Sequence, residues 1–461
     1  MRTGRTPNGA AGRGARPGTP RARLAAKRLA RVALAAALAL LPGAPGPVAA
    51  PVAAPLAAAE AALRARPGPP TRPNADMARD ILDLAFGLED GRSLPALSRF
   101  DGPVRVRLDG EGGAALDDLV GRLRDEAGLD VRRVEGEAEI VVEAVPAEAL
   151  AAVAPGAACF TVPGAASWEE FLARRGTAAL DWARVVRRER AAVFVPEGAA
   201  PELLRDCLHE EVAQALGPLD DLWRLPDSVF NDDNVRGALT GFDMLALRAL
   251  YALPVGLGRE EAERRLPALL ARLNPGGERP SEAAPLAPFP GWAEALAQAL
   301  APDAPVATRA AAALDAARSG PSSGPGAGLA LYALGRLRAA SDPEGARAAF
   351  RAARAAYGEA PETALHRAGA DLQLAAFALR DGDPRGALAL ALGAEPVAGA
   401  EGAVALLGTL RLVRAEALDA LGRGTEADAL RLDSLPLLAY GFGAGAVPAV
   451  LAQARALRPG V

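Results

Sequence analysis

Histidine is scarce in this 461-residue chain: there are two, His209 and His366. A zinc site of three imidazoles therefore cannot be built from one copy of it. Cysteine is equally scarce, limited to Cys159 and Cys207, and lysine occurs once, at Lys27, so arginine carries the positive charge. Aromatic residues are only 4%, whereas alanine, glycine and proline abound. An apolar position filled by alanine is weaker evidence of a core than one filled by leucine or valine, because it buries less area. With 23% charged and 51% hydrophobic residues, the chain is neither a disordered polyelectrolyte nor a polytopic membrane protein. Its length exceeds one ordinary core and suits two or three domains.

The first 31 residues hold nine basic side chains, from Arg2 to Arg31, and no acidic one. An apolar run, 32–41, follows, then Pro42-Gly43-Ala44 and small-residue sites such as Ala57-Ala58-Ala59. That order predicts a signal peptide and leader over 1–59. The apolar run is about 10 residues long, short of the ~20 that a spanning helix needs. An uncleaved anchor is the alternative, and Pro42, Pro45 and Pro47 argue against it. Without the leader the formal charge passes from −4 to −13, which disfavours nucleic acid as a partner. A periplasmic or secreted protein is the expectation.

A Pro-rich linker is expected over 60–75. Alternation in Val104-Arg105-Val106-Arg107-Leu108 predicts a half-buried strand. Leu116, Leu119, Val120 and Leu123 mark the inner face of a helix over 114–127. Further strands are expected at 129–134, 139–145, 158–162 and 192–195, with a turn at Gly136, and further helices near Ser167 and over 201–216. Residues 76–272 thus read as an α/β (α+β) domain with a mixed sheet. A linker over 273–304 and an all-α domain over 305–461 complete the chain. In the latter, Asp342-Pro343-Glu344-Gly345-Ala346 recurs as Asp383-Pro384-Arg385-Gly386-Ala387, with an echo at Gly424-Thr425-Glu426-Ala427-Asp428. The spacing is 41 residues each time. Paired helices with this recurrence resemble tetratricopeptide-type repeats, although their period is nearer 34. A plain helical bundle is the alternative reading.

The segment richest in chemistry is 207–220. His209-Glu210 opens like the zinc motif H-E-x-x-H, but the second histidine would fall on Ala213. One residue along, Glu210-Glu211-x-x-Gln214-x-x-Gly217-x-x-Asp220 resembles the metzincin zinc-peptidase motif H-E-x-x-H-x-x-G-x-x-H/D. The resemblance places Glu211 at the general-base position, Glu210, Gln214 and Asp220 at the ligand positions, and Phe230 at the Met-turn. Leu239-Thr240-Gly241-Phe242-Asp243 and the following helix to Tyr251 resemble the helix that closes such catalytic domains. Together with Phe230-Asn231-Asp232-Asp233-Asn234, these motifs look like a secreted bacterial family of unknown function. The resemblance spans about 76–255 and implies a zincin-like fold.

Ligand chemistry argues against carrying zinc over with it. Zinc peptidases use neutral imidazoles, and a glutamine amide is a poor substitute; oxygen donors suit hard cations such as Ca²⁺ or Mg²⁺. No cofactor is expected, with a divalent cation left open. The favoured reading is a cleft that binds or scaffolds a protein, peptide or cell-wall component. A hydrolase using Glu211 with a non-standard metal site is the alternative; a solvated helix face is the plainest reading. His209, about 100° around the helix from Glu210, reads as satisfied locally rather than as a ligand, and His366 has no ligand context. Asn231-Asp232-Asp233-Asn234 reads as an Asx-turn cluster. The two cysteines suggest a disulfide in an exported protein, and a zincin-like fold would bring them together; two separate buried thiols are the alternative.

Overall fold

The computed structural model describes residues 65–66, 68–231, 233, 235–281, 289, 291–301 and 304–458. The leader expected over 1–59 lies outside the described residues, as do parts of both expected linkers and Asp232 and Asn234. No helix among the described residues is long and apolar enough to cross a membrane.

Five strands form one mixed sheet: β1 (Val104–Asp109), β2 (Val131–Arg133), β3 (Ile140–Val145), β4 (Phe160–Pro163) and β5 (Ala191–Pro196). Their order is β2-β1-β3-β5-β4, parallel throughout except for the antiparallel pairing of β4 with β5. The alternation in β1 is realised as Val104, Val106 and Leu108 buried between more exposed arginines. Strand β5 is buried from Ala191 to Val195 because helices cover both its faces. Gly136 does not close a hairpin. Val106 pairs with Arg133 on one side and Ile140 on the other, so the chain crosses β1 at mid-strand.

One face of the sheet packs on α1 (Asn74–Phe86), α2 (Gly113–Asp125), α5 (Pro201–Leu216), α6 (Gly241–Ala252) and α7 (Arg259–Leu273), forming the main core. The other face carries an aromatic cluster under α3 (Ala147–Val153) and α4 (Trp168–Arg174). There the Phe194 ring lies 5.0 Å from Trp168 and 5.3 Å from both Phe160 and Phe171. Such tilted contacts suit the ring quadrupole.

Among the described residues, every element after α7 is a helix. The stretch expected as a linker carries α8 (Trp292–Leu300), which packs with α9 (Val306–Ser319) around Leu296, Ala299 and Ala313. Three pairs follow: α10 (Gly324–Arg338) with α11 (Pro343–Tyr357), α12 (Ala364–Arg380) with α13 (Pro384–Ala400), and α14 (Val404–Ala420) with α15 (Gly424–Phe442); α16 (Val447–Arg455) closes the array. The 41-residue recurrence is a helix start. Asp342 and Asp383 accept from the backbone N–H of Gly345 and Gly386, and proline occupies the first helical turn. A Cβ at Gly345 or Gly386 would run into the capping carboxylate and force it to shift. The echo at Gly424 has Arg423 before it and no side-chain cap.

The two halves meet through a buried polar interface rather than a free tether. The Glu202 carboxylate, in the first turn of α5, accepts from Val404 N–H (3.0 Å) and Ala405 N–H (2.7 Å) at the start of α14. Arg205 donates to Gly402 O at 2.8 Å, and Arg236 reaches both Glu401 and the Glu362 carbonyl. His366 Nε2 lies 2.7 Å from Asp233 Oδ2, with both side chains buried.

Candidate functional site

Helix α5 is buried from Cys207 to Leu216, polar residues included. A solvated helix face is therefore not what Glu210, Glu211 and Gln214 form. Cys207 is bonded to Cys159, with Cα atoms 5.9 Å apart, so the helix is joined to the residue preceding edge strand β4. His209 is satisfied locally, its Nδ1 accepting from Leu239 N–H at 3.1 Å. Burial, with Arg122, Arg205 and Arg66 nearby, holds its imidazole well below the usual histidine range, and it stays neutral.

Glu211 and Gln214 line a cleft of about 310 Å³ that runs between α5 and β4. Phe160 and Thr161 of β4 form one wall, Trp182 and Asp181 another, and Glu89, Asp90 and Arg92 of the turn after α1 complete it. The Gln214 amide nitrogen points between two carboxylates, 3.4 Å from Glu89 and 3.3 Å from Asp221. Asp220 packs against Gly87 at the end of α1, and its Oδ1 accepts from Asp221 N–H at 3.0 Å. Of the four positions singled out by the motif, Glu211 and Gln214 share the cleft; Glu210 and Asp220 are not among its walls. A zinc-type ligand set does not fit this arrangement: one position presents an amide N–H, another is turned onto α1, and no imidazole is at hand. Among the described residues, no three His, Cys, Asp or Glu side chains are grouped so as to hold a metal ion.

The C-terminus of α5 is held by a residue that the sequence did not single out. Buried Arg188 donates to the carbonyls of Gln214 (2.6 Å), Ala215 (2.7 Å) and Gly217 (2.7 Å), and to Ser98 Oγ. Its guanidinium lies 4.5 Å from the centre of the Trp182 ring. Burial pushes it down to about 9, still protonated at neutral pH, where its charge complements the negative end of the helix. In sequence it is one arginine in the charged run Arg187-Arg188-Glu189-Arg190, with no distinguishing signal.

The Phe230 and Asp243 motifs form a second buried unit. Phe230 is fully buried in the main core. Ser228 Oγ donates to Asp243 Oδ1 (2.6 Å), while Oδ2 accepts from Thr240 N–H (2.8 Å) and Val229 N–H (3.2 Å). Thr240 and Asp243 make a reciprocal capping box at the start of α6. Burial raises the Asp243 carboxyl to about 6 against these hydrogen bonds. Asp233 N–H donates to Asn231 Oδ1 at 3.0 Å, an Asx turn as the sequence suggested.

A larger groove of about 920 Å³ lies between the halves. It is crossed by ion pairs within the protein: Arg72 with Asp80 and Asp227, and Arg224 with Asp80 and Asp83.

Residues 74–268 match a family described as a protein of unknown function, DUF2927. The DUF2927-like region contains the whole sheet, the disulfide, the cleft and the capping-box unit. The helix pairs lie beyond it. No curated protein and no solved structure matches the chain.

Proposed function

We propose that the DUF2927-like region is a zincin-like module that binds an extended peptide or protein segment without cleaving it. The helix pairs, as a tetratricopeptide-like array, hold a further protein surface. The chain works in the periplasm or as a secreted protein, needs no cofactor, and does not bind nucleic acid. The observation that carries this reading is the cleft beside β4. Among the described residues that strand pairs only with β5, so its outer edge offers backbone donors and acceptors to an extended chain. Beneath it, Glu211 and Gln214 stand where the motif resemblance puts a general base and a ligand, and the amide at 214 removes the imidazole on which zinc hydrolysis depends. The Cys159–Cys207 bond supports an oxidising compartment.

The test uses the full chain and its Glu211→Gln variant on mixed peptide pools, read by mass spectrometry and by peptide binding. We expect no cleavage by either protein, with peptide binding retained by both. Cleavage that disappears in Glu211→Gln, with the fold unchanged, would establish the hydrolase reading instead.

A further inference from the structure

We propose that the cleft selects a cationic side chain, an arginine or lysine flanked by apolar residues in an extended peptide; this rests on the peptide-binding reading above. Charge decides it. Glu89, Asp90, Asp181 and Glu211 face the cleft, against the single guanidinium of Arg92. Arg188, the buried cation beside Trp182, is committed to the backbone carbonyls at the end of α5.

The mouth already holds a guanidinium. Arg92 Nε donates to Asp90 at 2.7 Å, and its Nη1 reaches both Asp181 oxygens at 3.0 and 3.2 Å. Two carboxylates from separate segments are thus set at the spacing of a planar fork. The Arg92 side chain is 53% exposed, so this pairing sits at the rim, is weak, and can be exchanged for a visiting cation. Deeper in, Glu89 accepts from the neutral Gln214 amide and Glu211 adds a further carboxylate. The remaining walls include Leu88, Phe160, Phe171 and Leu219, which suit the methylene stem of a long basic side chain. A cleft of one charge sign with apolar walls focuses its field on such a ligand. An acidic segment would meet repulsion from the same groups.

The probe is a set of fluorescein-labelled octapeptide mixtures, apolar at every position except one, which is fixed as arginine, citrulline or glutamate. Binding to the full chain is read by anisotropy at low and high salt. At low salt the arginine set should bind about tenfold more tightly than the citrulline set, and salt should narrow the gap. Glu89→Gln and Asp90→Asn should each weaken the arginine set by about fivefold and leave the citrulline set unchanged. Arg92→Ala should act in the opposite direction and strengthen the arginine set. Equal affinities for all three sets would overturn charge selection while leaving peptide binding intact. Binding of none would overturn both. One-to-one uptake of Ca²⁺ that abolishes the arginine preference would make the carboxylates a metal site and overturn the proposal.

Discussion

Converting Cys159 and Cys207 together to alanine isolates what the bond between β4 and α5 contributes. The bond spans a sequence separation of 48. Closing a loop of that length in the unfolded chain corresponds to about 4 kcal/mol by chain entropy. That is a large share of the 5–15 kcal/mol typical of a folded domain. The loss should be local before it is global, because β4 has four residue pairs to β5 and, among the described residues, no strand beyond it. Urea unfolding followed by tryptophan fluorescence suits the measurement, since Trp168 packs on Phe160 of β4 and Phe194 of β5. We expect a loss equivalent to about 4 kcal/mol with a steeper denaturant slope, because the unfolded chain without the cross-link expands, and amide protection in β4 falling furthest. A loss below about 1 kcal/mol, or protection in β4 equal to that of β5, would refute the argument that this bond anchors the cleft wall.

Four further outcomes are expected. His209 is held neutral while the unfolded chain protonates near pH 6.5; stability should therefore decline as pH falls through that value, and His209→Gln should flatten the decline. Asp243 acts oppositely: its folded value near 6 exceeds its unfolded value, so stability from this group rises as pH falls from 6 to 4, and comparing variant with parent at each pH separates the two effects. Arg188→Met leaves the carbonyls of Gln214, Ala215 and Gly217 without their donor and should cost roughly 3–5 kcal/mol in thermal or urea unfolding; a loss under 1 would show that water replaces it. A fragment starting at Gly291 should be helical by circular dichroism yet less stable than the same helices in the full chain, because it lacks Glu202 at the start of α14; equal stability would show the clamp to be idle.

Much of the fold was legible because the sequence patterns are local. Val104 to Leu108 alternate, Pro201 opens a helix, and the Asp-Pro-x-Gly recurrence caps two helices, each needing only residues a few positions apart. The disulfide was legible because only one cysteine pair existed to make it. The cleft was half legible: Glu211 and Gln214 stand on one helix face, whereas Glu89, Arg92, Asp181 and Trp182 come from distant segments that the tertiary fold brings together. A motif fixes spacing but not the direction of a loop; the chain after Gly217 turns Asp220 toward Gly87 and sets Asp221 beside Gln214. Helix α8 was hidden by the surrounding prolines and alanines. Glu202 was unreadable for a different reason. An acidic residue in a first turn suits its own helix dipole, and nothing in sequence shows that it caps another helix.

That cap has a consequence for how the chain is made. Glu202 and the amides of Val404 and Ala405 that donate to it are 202 and 203 residues apart, so synthesis delivers the carboxylate long before its donors. Until then Glu202 keeps its hydration shell, and the first turn of α5 stays open to water. Arrival of α14 strips that shell away, and burial then pushes the carboxyl upward against the pull of Arg205 and the two amides. The half that carries the cleft is therefore synthesised before the helices that seal α5. A premature stop before residue 404 would release a chain whose cleft residues are all present but whose central helix has one end unsealed.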